Sequence, residues 1–426
     1  MLKQLIYKIK NNIWITPAVI SISSLMLAVA IGFLDSSPGI ELDNFIPDIF
    51  LTRVDLAKTI LGVIASALIG MTTFTFSITM VVLTTYSSQF TPRVVENFLS
   101  DDETMKTLGI FMGGFLYSIM ALSFMRHSLE GDLVISAIIG TMFAIFCLVY
   151  FLKYINHVGS FIQTSNLIQR LYDEAVKEVK DYRDFIQQGK IVSRIEAECT
   201  DCIIRVKIEK GGYIQYIDHE KIINIAEDID GLIVIEKITG EFVTDDTEIF
   251  TLYFKDEEAT EKKIANLQAC ITTGNTQTDL QNFNFSIQKL VEIALRAISP
   301  STNDPNTASN CLKIIGVLIG MIADLANGYL IIENKEKSRQ SVAFELIDFK
   351  DILYFTFYQI AHYGKEDISV MLSLVKALGY INQNASPENQ GAVLKFLDYV
   401  WDKMAPELKT GYDNEILERE RSKILN

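Results

Sequence analysis

Four stretches of the chain run for about twenty residues without an Asp, Glu, Lys or Arg: Trp14–Leu34, Ile60–Tyr86, Thr107–Met125 and Leu133–Leu152. A helix rising about 1.5 Å per residue needs that length to cross about 30 Å of hydrocarbon, and backbone in lipid has to satisfy its own hydrogen bonds. The pattern predicts four transmembrane helices within residues 1–152. After them the pattern changes. Phe161–Phe185 predicts a helix of mixed charge, in a connector over residues 153–187 that continues the last span inward. Residues 188–257 then alternate as strands do, with β-branched and aromatic runs at Cys202–Ile208, Tyr213–Ile217, Leu232–Ile238 and Glu248–Phe254, turns at Gly211-Gly212 and Thr239-Gly240, and a helical His219–Asp228.

Residues 258–426 form the last segment, and from Thr278 onward the apolar spacing is helical. Helices are predicted at Phe285–Ile298, Phe349–Tyr363, Ser369–Ile381 and Glu388–Met404, with another starting at Asp304-Pro305, where Asp caps and Pro takes the first position. Ile314–Ile332 is long enough for a fifth span. Asp324 and Asn327 interrupt it and Lys313 borders it, so it is read as a buried helix of the soluble part. The expected fold is a multi-pass α-helical membrane domain of four transmembrane helices, joined to a cytoplasmic α+β domain with a small β-rich module and a helical C-terminal part.

Charge sharpens this division. The chain has 426 residues, 49% hydrophobic types and a net charge of −15, yet residues 1–152 hold only 8 basic and 11 acidic side chains, leaving 30 basic and 42 acidic for the remainder. So acidic a soluble domain argues against nucleic acid as a partner. Lys3, Lys8 and Lys10 precede the first span, whereas the following loop carries Asp35, Glu41, Asp43, Asp48 and Asp55 against Arg53 and Lys58, and Lys153 and Arg170 follow the last span, so the basic-residue bias predicts both termini in the cytoplasm. Ala28-Val29-Ala30 resembles a processing site, and a cleaved secretory signal is the competing reading of the first span. Five scattered cysteines suggest no disulfide framework and favour a reducing compartment.

The second span carries the most specific pattern. At 100° per residue, Gly62, Ser66, Gly70, Thr73, Ser77, Met80, Thr84 and Ser88 fall within about 80° of one another. Gly62, Ser66 and Gly70 form a small-xxx-small series suited to helix packing, as do Gly109 and Gly113 in the third span. Thr73, Ser77, Thr84 and Ser88 are the candidates for lining a water-filled path. No charged residue interrupts the spans, which argues against an ion-coupled pump.

Three stretches make the chain recognisable: FSITMVVLTTYSSQFTPRVVENFLSD (Phe76–Asp101), QKLVEIALRAISPSTNDPNTA (Gln288–Ala308) and YFTFYQIAHYG (Tyr354–Gly364). On these the sequence resembles the uncharacterised membrane-protein family known as domain of unknown function 2254. The family hallmark looks like Ala-Leu-Arg-Ala-Leu-Ser-Pro leading into Asn-Asp-Pro-x-Thr-Ala; this chain has Ile298 where Leu is usual, and Ser301-Thr302 where Gly is common. The resemblance implies a multi-pass protein of the bacterial cytoplasmic membrane with a cytosolic C-terminal domain, and it implies no activity.

Around that hallmark, Arg296, Ser299, Asn303, Asp304 and Thr307 cluster in sequence. One reading is structural: Asp304 or a helix C-terminal carbonyl satisfies Arg296, while Asn303 and Asp304 cap the next helix. The other is a site for a small anionic ligand, with Arg296 and helix amides as donors, or a subunit interface. Cys199-Thr200-Asp201-Cys202 has the spacing of a zinc knuckle, but no second CxxC or nearby His completes it, and His127, His157, His219 and His362 are dispersed. No metal or cofactor is expected, and no catalytic motif points to an enzyme. The expected function is a homo-oligomeric channel or pore in the lipid bilayer with a gating or ligand-sensing cytoplasmic domain, the alternative being a non-conducting membrane-anchored sensor or scaffold.

Overall fold

The structure is a computed structural model that describes residues 14–36, 47, 51–89, 102–125, 133–161, 163–195, 202–227, 231–254, 261–334 and 339–425. Lys3, Lys8 and Lys10, most of the acidic first loop, the end of the first hallmark stretch, His127, Cys199 and Asp201 lie outside them. The chain divides into two compact units, Met1–Leu167 and Ile168–Asn426.

The first unit holds α1 (Ile15–Asp35), β1 (Thr52–Arg53), α2 (Val54–Gln89), α3 (Asp102–Phe124), β2 (Leu133–Val134) and α4 (Ser136–Phe161). Each of the four helices has the length and apolar composition to cross a membrane. With 36 residues α2 measures about 54 Å, longer than the hydrocarbon layer. α3 is the central helix, packed against α1, α2 and α4. Leu61, Tyr117, Ala121, Val134 and Ala137 form one layer of the core; Ile64, Leu68, Ile110, Phe111 and Cys147 form the next. One polar clasp closes the bundle. Asp35, at the end of α1, accepts from the backbone N–H of Ile135 at 3.0 Å and of Ser136 at 3.3 Å, and from the Ser136 hydroxyl. A carboxylate from another helix thus caps α4, where the first amides lack intrahelical acceptors.

The expected continuation of the last span into the connector does not occur. α4 ends at Phe161 and α5 (Thr164–Ile186) is a separate helix; near the junction the Ser160 hydroxyl donates to the His157 carbonyl, and the Asn166 amide to that of Ser160.

Beyond α5 come β3 (Lys190–Val192), β4 (Cys202–Lys207), β5 (Gly212–Ile217), α6 (His219–Glu227), β6 (Gly231–Ile235), β7 (Phe242–Val243), β8 (Glu248–Phe254), α7 (Glu261–Gln268) and β9 (Ile271–Gly274). Then follow α8 (Phe283–Ala297), α9 (Pro305–Gly320), β10 (Tyr329–Asn334), β11 (Arg339–Glu345), α10 (Phe349–Tyr363), α11 (Ile368–Asn384), α12 (Pro387–Lys403) and α13 (Gly411–Leu425). A mixed six-stranded sheet runs β3-β10-β11-β6-β8-β4, with β11 and β6 parallel, and a three-stranded sheet runs β7-β5-β9. The strands of residues 190–254 therefore do not complete a sheet by themselves. Ile314–Ile332 is not a single helix: α9 stops at Gly320, Gly328 turns with φ 121°, and Tyr329 begins a strand.

β6 is buried along Leu232, Ile233, Val234 and Ile235, as expected of a strand covered on both faces. Ile233 and Ile235 pack with Phe344, Leu330, Ile222, Leu267 and Ile186, while Leu232 and Val234 join Ile331 and Ala343 on the opposite side. α8 to α13 pack against one another in a helical cluster. There Gly316 lets α9 approach α11 so closely that a β-carbon on it would lie 2.9 Å from that of Ala377.

Candidate functional site

In α2 the face that packs on the bundle is Val54, Ala57, Leu61, Ile64, Ala65, Leu68, Thr75, Thr79 and Val82. At 100° per residue the stripe of Gly62, Ser66, Gly70, Thr73, Ser77 and Thr84 is centred roughly 160° away from it. The structure accordingly leaves Ser66, Gly70, Thr73, Ser77 and Thr84 exposed on the surface of the single chain. Their hydroxyls bond back to their own helix, at 2.9 Å for Ser66 to Gly62, Thr73 to Ile69 and Ser77 to Thr73, and 2.8 Å for Thr84 to Met80. Position 88 lies in α2, but its side chain is outside the described residues.

The glycines divide into two groups. A β-carbon on Gly109 would lie 2.8 Å from Pro17 Cα, and one on Gly113 2.5 Å from Ser24 Oγ, so these two are where α3 meets α1. A β-carbon on Gly62 or Gly70 would meet nothing within 4 Å. The close packing expected of Gly62, Ser66 and Gly70 is not made within one chain, because α2 uses its opposite face for that purpose. Beside the stripe, Thr59, Ile60, Val63 and Ile64 with Thr141, Ala144, Ile145 and Leu148 line a groove of about 450 Å³. Both threonine hydroxyls there are bonded to carbonyls four residues back, which leaves an apolar lining suited to hydrocarbon.

The hallmark loop joins α8 to α9. Its turn is closed by Thr302 N–H to the Ser299 carbonyl at 3.0 Å, Asn303 N–H to the same carbonyl at 2.9 Å, and Asp304 N–H to the Ala297 carbonyl at 2.8 Å. Asn303 supplies the left-handed residue of the turn, with φ 48°, a conformation Asn tolerates better than most residues. Asp304 alone caps α9, accepting from the Thr307 N–H at 3.1 Å and from the Thr307 hydroxyl at 2.6 Å. Those bonds hold its carboxyl below the usual range. Asn303 thus turns the chain without sharing the capping, and the Asp304 carboxylate sits at the amide end of α9. Arg296 is exposed on the outer face of α8, so no burial penalty attaches to it. The Ser299 hydroxyl donates to the Arg296 carbonyl at 2.7 Å.

Several polar contacts escaped the pattern. Lys289, only 1% exposed, pairs with Asp279 at 2.7 Å. Its position within the apolar stripe of α8 was the available signal. Glu178 on α5 accepts from the backbone of Gln281 at 3.2 Å, and burial raises its carboxyl. Arg183 on α5 forks onto Asp324, at 2.5 and 3.0 Å, and donates to the Met321 carbonyl, and its bonds hold the Asp324 carboxyl low. His219 stacks on Phe185 at 4.1 Å and meets the edge of Phe344 at 4.9 Å; desolvation pushes its imidazole down to about 4. Burial pushes the Cys311 thiol up to about 12, far from a reactive thiolate. Among the described residues no group of three or more His, Cys, Asp or Glu side chains comes together as a metal site.

Four long apolar helices in one compact unit, followed by a unit of helices and two sheets, define the class of predicted multi-pass membrane proteins. The chain belongs to the family described as predicted membrane protein DUF2254, whose profile matches residues 10–380. It is 24% identical over 415 residues to the uncharacterized protein Rv1290c of Mycobacterium tuberculosis (strain H37Rv), covering 92% of this chain and 76% of that one. The uncharacterized protein Mb1321c of Mycobacterium bovis is similar to the same extent, 24% over 415 residues with the same shares of both chains. No solved structure is a significant match.

Proposed function

We propose that the chain is the subunit of a homo-oligomeric channel or pore in the bacterial cytoplasmic membrane, with both termini in the cytoplasm and the α+β unit as gate or ligand sensor. One observation carries the reading: the hydroxylated face of α2 points away from the helices that pack on it. Surrounded by lipid, such a face gains nothing from Thr73, Ser77 and Thr84. Turned toward neighbouring copies around an axis, it offers polar groups to water and a small ion. The exposed Arg296 beside Ser299 is where this reading places contact with an anionic ligand or a second subunit. No catalytic step is part of the proposal.

A second reading is favoured by a different observation. Every described hydroxyl of the stripe is bonded to its own helix, so the face can also close dry against a second copy, as a small-residue interface does. The protein is then a non-conducting membrane-anchored sensor or scaffold. Ion flux in liposomes, measured beside thermal stability in detergent for wild type, Ser77→Val and Thr84→Val, separates the two. A pore loses or alters flux while folding is kept, because a hydrophobic constriction dewets. A dry interface loses stability at unchanged flux, and absence of flux from every form favours the scaffold.

A further inference from the structure

The groove between α2 and α4 has a floor and two rims. Ile64 is 9% exposed and Ile60, Thr141 and Ala144 are half-buried, while Val63 on one side and Ile145 and Leu148 on the other stand 65%, 61% and 55% exposed. Both helices start at one level, since β1 leads directly into α2, β2 stands just before α4, and the two strands pair, Thr52 with Val134. Thr59 lies one to two turns past the start of α2, and Leu148 a little over three turns past that of α4. At 1.5 Å per residue the groove therefore runs from about 8 to about 18 Å beyond the paired strands. One leaflet of a hydrocarbon layer about 30 Å thick has that reach. At the shallow end Arg53 closes β1 with an exposed side chain, a guanidinium able to hold a lipid phosphate.

We infer that this groove holds one acyl chain of a phospholipid of that leaflet. The inference rests on the membrane location within the proposed function and not on conduction. Dimensions favour a thread over a helix. About 450 Å³ spread along the roughly 10 Å from Thr141 to Leu148 leaves a cross-section of about 45 Å², a little over half that of a helix about 10 Å across. The lining agrees. Helices approach one another in lipid over small residues, and Ala144 is the one small apolar side chain among those that line the groove; Gly62, Ser66 and Gly70 lie on the neighbouring face of α2 instead. Thr59 and Thr141 donate their hydroxyls to the Asp55 and Ala137 carbonyls, so the lining holds no hydroxyl that calls for water. Depth points the same way. A chain hanging from the surface of the leaflet follows the groove along its whole course, whereas a helix crossing the bilayer would run on past its end near the mid-plane.

The test is native mass spectrometry of the full chain in mild detergent, first with the lipids carried over from the membrane and then, after delipidation, with added palmitoyl-oleoyl phosphatidylglycerol. Phospholipid is expected to stay on the 48.0 kDa chain. Ala144→Phe puts a ring on the floor, and Val63→Trp closes the rim from the other helix without touching the core. Each should lower the retained fraction about tenfold, as overfilling an occupied site does. Met142→Phe, at a 66% exposed position outside the groove, should leave it unchanged. Thermal melts of the delipidated variants show that each is folded, and either one alone suffices if the other is not. Equal retention by all forms, or none by any, overturns the inference. So does an adduct with the mass of a fatty acid alone. A variant that lowers the mass of the assembly while the lipid stays bound assigns the groove to a second copy and overturns it too. Recovery of the chain in the aqueous fraction after lysis removes the membrane reading as well, whereas recovery in membranes with no adduct removes only the lipid. A lost adduct in Ala144→Phe and Val63→Trp from protein that conducts nothing keeps the inference and counts only against the pore.

Discussion

The Tyr154 hydroxyl lies 2.8 Å from the Thr79 hydroxyl and donates at 3.1 Å to the Thr75 carbonyl, tying α4 to α2 inside the bundle. Thr79 also donates to that carbonyl, at 2.9 Å, so three contacts share the single protons of two hydroxyls. Tyr154→Phe should lower stability in detergent by roughly 0.6–1.7 kcal/mol, the range of buried interhelical bonds. Thr79→Val should cost a similar amount, and the double variant no more than the larger single loss plus a few tenths, because both remove one network. Thermal melts of the three variants check this, and full additivity counts against the shared network.

Gly113→Val and Gly109→Val should destabilise the bundle by about 1–3 kcal/mol, since the added atoms meet Ser24 and the Pro17 backbone. Gly62→Val and Gly70→Val should leave the melt of a detergent monomer nearly unchanged, for nothing lies within 4 Å of their added carbons. If the stripe is an assembly face, those two substitutions instead alter the mass of the complex.

Removing the Asp304 cap with Asp304→Ala should cost about 1 kcal/mol, and Asp304→Asn distinctly less, because amide and carboxylate oxygens both accept from an N–H. The carboxyl is held low in the folded chain, so its contribution is full above the unfolded value of about 3.9 and is lost as pH falls further. Chemical denaturation between pH 3 and pH 6 reads this out.

His219 behaves differently. Its folded value of about 4 lies below the unfolded value of about 6.5, so between them the unfolded chain takes up the proton first. Stability should therefore fall as pH drops from about 6.5 to 4, by an amount on the order of 3 kcal/mol, and level off below. His219→Phe, which keeps a ring between Phe185 and Phe344, should flatten that part of the pH profile.

Much of the first unit was legible in the sequence because a run of twenty uncharged residues has few structural interpretations. Phe349–Tyr363 and the Asp304-Pro305 start were legible for a local reason, a strong apolar period or a cap with its proline. Ile314–Ile332 was not, since an apolar run looks the same whether it ends a helix or fills a strand, and only the pairing of Leu330 with Phe344 decides. The outward direction of Gly62 and Gly70 was likewise hidden: spacing shows that residues share a face, and the packing of the other helices decides which way the face looks. Lys289 and the Tyr154–Thr79 tie depend on partners 10 and 75 positions away.

The parallel pairing of β6 with β11 sets Ile233 beside Val342. A ribosome making this chain would release β3, β4, β6 and β8 well before the two strands that lie between β3 and β6 exist. Until residue 345 emerges, β6 presents a bare edge of Leu232, Ile233, Val234 and Ile235, a segment apt to pair with the wrong strand. Truncations ending before β10 should for that reason be insoluble rather than smaller folded proteins, and nascent chains of that length are where a chaperone would be needed most.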